Sequence, residues 1–162
     1  MTASIMIDLA YKHMKTLETE FKPLTEEGKL ECLIYNVLIC NFSAQSRYDK
    51  GKMEVLNSDL FGILISDFRL YVDETEEEKI GELIESRFKN HFRDIVMILE
   101  GGAFDPNDSF WYMYRKPLTF EAVGEIDPEM MAKFKPVLVK MSKAILEEAD
   151  NLPINSLQIY PT

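Results

Sequence analysis

The sequence predicts an all-α, single-domain bundle of five to six helices. Three observations lead there. Apolar residues recur at helical spacing in five separate segments, and several of those segments carry recognisable start or stop residues. No Asn-Gly or Asp-Gly hairpin dipeptide occurs, and strands do not alternate with helices. A chain of 162 residues is most simply one domain, and it is long enough to bury a core.

The first helix is expected from about Ser4 to Phe21, with Met6, Leu9, Ala10, Leu17 and Phe21 along one side and Pro23 ending it. The second opens at Thr25, a good N-cap followed by Glu26 and Glu27, and runs to about Tyr48. Its stretch CLIYNVLIC is apolar nearly all round, the pattern of a central, enclosed helix. Asp49, Lys50 and Gly51 read as a connector. A third helix follows to about Val72, with Met53, Leu60, Leu64, Phe68 and Tyr71 in one stripe. The fourth starts in a capping box, Thr75 to Glu78, and stops at Gly101-Gly102. Its stripe is Ile80, Ile84, Phe88, Ile95 and Leu99.

Residues 103–126 are less regular. A short helix capped by Asp108 is favoured over a strand, which would have no sheet to join. Asp127-Pro128-Glu129 starts the last helix, which is expected to reach Asp150 and to kink or break near Lys135, because Pro136 lies inside it. Residues 1–150 thus form the bundle. Residues 151–162 read as an extended C-terminal strap, docked through Leu157 and Ile159.

Composition narrows the class. With 46% hydrophobic and 28% charged residues the chain is neither disordered nor a repeat array. No apolar run approaches the roughly 18 residues of a membrane span. The start MTASIMIDLAYKH lacks the marks of a signal peptide, so a cytoplasmic protein is expected. Cys32 and Cys40 lie eight residues apart on one expected helix, about 12 Å at 1.5 Å per residue, too far for a disulfide. The net charge of −10 disfavours nucleic acid and anionic lipid and suits a basic protein partner.

The only two histidines, His13 and His91, fall inside apolar stripes, and Asn41 lies near the middle of the second helix's stripe. Arg87 and Asp67 sit on the shoulders of theirs. If the helices share one core, His13, Asn41 and His91 could line a polar pocket, with Arg87 as an anion clamp. The alternative is that each histidine satisfies a nearby tyrosine, carbonyl or carboxylate. No metal site and no cofactor is expected: no Glu-x-x-His, His-x-x-x-His or Cys-x-x-Cys spacing occurs, nor a Walker loop or Gly-x-Ser-x-Gly elbow.

Phe110, Trp111, Tyr112, Met113 and Tyr114, followed by Arg115, form the densest aromatic run. Exposed, it would anchor a partner or a second copy; covered, it would plug one end of the bundle. Glu147, Glu148 and Asp150 oppose the helix dipole at a C-terminus, which points to a basic partner or a nearby lysine. The leading reading is a non-catalytic helical interaction or regulatory module, binding another protein or itself as a homodimer. The alternative is a ligand-binding or enzymatic bundle built on the inner pocket.

Overall fold

The computed structural model describes residues 2–68 and 77–153. Among them six helices and no strand occur: α1 (Ala3–Glu20), α2 (Glu26–Gln45), α3 (Lys50–Phe68), α4 (Glu77–Leu99), α5 (Asn107–Tyr114) and α6 (Pro128–Asp150). The all-α bundle expected from the periodicity is therefore the fold, with α2 at its centre. That helix packs against all five others, and Cys32 to Asn41 are buried without a break. Its thiols lie in apolar surroundings. Burial pushes the Cys40 thiol up to about 12 and raises that of Cys32 as well.

Polar contacts fix the directions of the helices around α2. Lys140 reaches Glu20 at 2.7 Å and Lys12 reaches Glu148 at 2.6 Å, so α1 and α6 run antiparallel. Tyr35 bonds Ser142 at 2.7 Å and Ser43 bonds Asp150 at 2.5 Å, so α2 and α6 run parallel. One end of the bundle is closed by four rings in mutual contact, Phe21, Phe110, Tyr114 and Phe134, with centroids 5.1–6.3 Å apart. Most of these pairs meet edge to face, the arrangement that ring quadrupoles favour.

The caps explain where the elements begin. Thr2 and Thr25 accept from Ile5 and Gly28, and Asp127 accepts from Glu129 at 3.1 Å. Asp49 accepts from the Lys52 amide at 2.9 Å. This cap draws Lys50 and Gly51, expected as connector, into the first turn of α3. The N-cap of α5 is Pro106 rather than the expected Asp108. Asp108 lies in the first turn instead, where Arg93 donates to it at 2.8 Å. Helix α6 runs unbroken through Pro136. Proline deprives the Ala132 carbonyl of its donor, but both residues are exposed, so water can serve that carbonyl.

The stop expected near Val72, Tyr71 in the third stripe and the capping residues Thr75 and Glu76 lie outside the described residues, as do Leu157 and Ile159. Of the strap, Asn151 to Pro153 are described. Arg47 holds this turn by donating to the carbonyls of Ala149, Asp150 and Leu152 at 2.7–3.1 Å.

Helices α2 and α5 approach so closely that a Cβ on Gly28 would lie 2.5 Å from the Met113 carbonyl oxygen. Gly28→Ala is therefore expected to destabilise by about 1–3 kcal/mol. Gly62→Ala, whose Cβ would meet nothing within 4 Å, is expected to cost nothing and to gain up to about 1 kcal/mol of helix propensity. Urea unfolding of the pair checks this, and equal midpoints would contradict the close approach.

Candidate functional site

The most concentrated chemistry in the protein lies inside it. Glu31, one turn before Tyr35 on α2, is fully buried, and Arg87 of α4 is fully buried against it. The Arg87 Nε donates to both carboxylate oxygens at 2.9 Å, Nη2 donates to the Thr119 carbonyl, and the guanidinium lies 3.4 Å from the centroid of the Tyr112 ring. Glu31 Oε1 also accepts the backbone amide of Leu118 at 2.9 Å. A buried charge is tolerated only when paired and hydrogen-bonded in this way.

One turn along α4, His91 continues the cluster. Its ring meets Tyr35 edge-on at 5.5 Å, and Nδ1 lies 3.0 Å from the Ser109 hydroxyl. That hydroxyl gives its proton to Asp94 Oδ2 at 2.7 Å, and the Ser109 amide donates to the same oxygen at 3.0 Å. The direction of the chain follows. Ser109 has spent its hydrogen on Asp94, so its oxygen accepts from His91, which makes Nδ1 the protonated nitrogen. Nε2 faces Glu31 at 3.8 Å and makes no hydrogen bond. Burial raises the Asp94 carboxyl above the usual carboxylate range, against the lowering effect of the Ser109 bonds.

Serine, histidine and carboxylate here have the composition of a hydrolytic triad but the wrong connections. The hydroxyl hydrogen points at the acid instead of the imidazole, and Ser109, His91 and Asp94 are all fully buried. A nucleophile needs its base on the hydroxyl hydrogen and a path for substrate. The cluster serves to fasten a loop. Residues 115–127 run over it, held by Thr119 on Arg87, Leu118 on Glu31, and Tyr112, whose hydroxyl donates to the Glu121 carbonyl at 3.0 Å. These bonds hold Leu118 at a φ of 58°, left-handed for a residue with a side chain, at a cost of order 1 kcal/mol. Further on, Gly124 lies so close to the Trp111 ring that a Cβ would be 2.7 Å from it.

The proposed pocket residues do not converge. His91 and Arg87 share the Glu31 cluster. His13 is at the α1–α6 seam, hydrogen-bonded to Glu148 beside Lys12. Asn41 faces α3, donating to Asn57 at 2.5 Å and accepting from Gln45 at 2.9 Å. Arg87 is no open anion clamp, since Glu31 already occupies it. In the aromatic run Phe110, Tyr112 and Met113 are buried, Trp111 and Tyr114 are half-buried, and Arg115 is exposed. The run plugs the bundle end. Glu147 is exposed, and Glu148 is answered by the lysine and histidine of α1.

Glu31, Asp94 and Ser109 were not singled out by the sequence. The usable signal was on α4: Arg87, His91 and Asp94 repeat at intervals of four and three, a polar row beside the apolar face of an amphipathic helix. Among the described residues, no group of three or more His, Cys, Asp and Glu side chains is placed to hold a metal ion, and no helix is long and apolar enough to cross a membrane. Comparison with protein-family models, with curated proteins and with solved structures finds no match to this chain.

An open concavity lies elsewhere on the surface. It is a trough of about 620 Å³ between the start of α1 and the length of α3, lined by Ala3, Val55, Leu56 and Ile63 together with small and acidic side chains. Val55 stays 53% exposed in it.

Two outcomes follow from the cluster and the seam. Arg87→Met strands a buried carboxylate and is expected to cost about 3–5 kcal/mol, whereas Glu31→Leu combined with Arg87→Met costs less than the two single changes summed. Strict additivity in denaturant unfolding would show the pair uncoupled. The second outcome concerns acid. Hydrogen bonds from Lys12, and then from His13, hold the Glu148 carboxyl below its ordinary value. Its contribution is thus present above the unfolded carboxylate range and lost as pH falls through the folded value. Asp94, raised by burial, has the opposite sign: its contribution is greatest below the unfolded range and is lost as pH rises through the raised value. Stability measured against pH should therefore lose acid-limb slope in Glu148→Gln and gain it in Asp94→Asn; slopes that move together would refute the assignment.

Proposed function

We propose that this chain is a non-catalytic helical module, acting in the cytoplasm by binding a protein partner. The observation that carries the reading is how its polar and apolar groups are divided. Groups with the makings of chemistry, Glu31, Arg87, His91, Asp94 and Ser109, are bonded to one another and to the chain's own loop, fully out of water. Large apolar side chains stay outside: Val55 at 53% exposure and Phe120 at 59%. A ligand-binding bundle would hold the reverse, a polar cavity with free donors and acceptors at its wall. The inner-pocket reading also loses its geometry, because His13, Asn41 and His91 each have separate partners. The net charge of −10 favours a basic partner over a second copy of the chain.

Site-specific photo-crosslinking in cells that naturally make the protein tests this. A photoreactive residue is placed in the full chain at Ser58, Arg115 or Phe120 in turn, and irradiation is expected to give a polypeptide adduct from at least one position. No adduct from any of the three would overturn the reading.

A further inference from the structure

We infer that the trough between α1 and α3 takes a helical segment of the partner, apolar along one side and carrying Lys or Arg about two turns apart. The inference rests on the interaction reading above and names the surface and the occupant. Val55 and Ile63 of α3 and Ala3 of α1 give the trough its apolar lining. Ser58, Gly62 and Ser66, four residues apart on α3, contribute almost no side chain, and a Cβ on Gly62 would meet nothing within 4 Å. The lining runs along α3 from Val55 to Asp67, about 18 Å, or some three helical turns. A drug-sized molecule fills an enclosed cavity, whereas an elongated apolar trough fits the face of a helix.

Charge decides which helix. Asp59 and Asp67 both belong to the lining. Among the described residues, the Tyr11 hydroxyl donates to Asp67 at 3.4 Å, Asp59 has no hydrogen bond, and no cation pairs with either. They lie eight residues apart, about 12 Å along the helix, so basic residues seven or eight apart on a partner helix come level with both. A second copy would set Asp59 and Asp67 near their own counterparts on a chain of the same −10 charge. The tail segment 154–162 has Ile154, Leu157 and Ile159 but neither Lys nor Arg to meet the aspartates. A basic amphipathic helix answers both features of the trough.

A displayed library of random peptides of about 18 residues, about five helical turns, is panned on the full-length wild-type chain. Enriched peptides are expected to carry Lys or Arg seven or eight apart beside an apolar stripe. Their affinity should fall at least about tenfold with Asp59→Lys/Asp67→Lys and again with Val55→Glu, and hold with Arg115→Glu, in variants whose circular dichroism matches wild type. Enrichment of uncharged or acidic peptides, or binding indifferent to the trough variants, would overturn the inference. So would a dimer in sedimentation that Val55→Glu dissociates, which assigns the trough to a second copy. A tenfold gain in peptide affinity from Leu157→Asp/Ile159→Asp would assign it to the chain's own tail. Photo-adducts from Phe120 or Arg115 alongside a silent trough would end this inference and leave the interaction reading standing; no adduct anywhere would end both.

Discussion

A carboxylate on the helix that touches every other helix has to be neutralised inside the protein, and the rest of the interior is arranged around doing so. Glu31 draws Arg87 from α4 and the Leu118 amide from the loop after α5. Arg87 then needs further acceptors, which brings in the Thr119 carbonyl and the face of Tyr112. One unavoidable charge thus fixes the register of α4 on α2, the path of residues 115–127 and the unusual backbone of Leu118. An apolar side chain at position 31 could have packed as tightly, but it would have specified none of these. The pair is better understood as a locator of parts than as a source of net stability, because desolvation offsets much of what the two charges gain from each other.

This is also where the sequence was readable and where it was not. The five long helices followed from apolar spacing because that spacing is a local property, and Thr25, Asp127 and Pro128 mark helix starts by backbone chemistry alone. Central α2 was visible in CLIYNVLIC. The polar cluster was hidden for a related reason: the stretch read as apolar all round begins at Cys32, and nothing local marks Glu31, just before it, as buried. His13 and His91 had the same local signature, yet one sits at a seam beside Lys12 and the other in the fully enclosed core. Only the three-dimensional neighbours separate them. Asp49, too, read only as part of a connector, whereas its carboxylate caps α3.

Inside and outside have separate duties in this molecule. Interior polar groups satisfy one another, leaving few unpaired buried atoms, among them His91 Nε2, Asp94 Oδ1 and Asn36 Oδ1. Such groups cost stability when lonely and confer uniqueness when paired. At the surface the trough between α1 and α3 shows the opposite economy, with apolar and acidic side chains left unanswered by the described chain.

The four-ring cluster carries a consequence for the order in which the molecule assembles. Phe21 comes from the end of α1, Phe110 and Tyr114 from α5, and Phe134 from α6. The Tyr35–Ser142 and His13–Glu148 contacts also span more than a hundred positions. Helices α1 and α2 are neighbours in the chain and pair as soon as both exist, but the face they share stays uncovered until α6 arrives. As the chain emerges from the ribosome, its central helix therefore waits, half-dressed, through the synthesis of the segments that follow. The protein's vulnerability to aggregation is concentrated in that interval, and the last helix ends it.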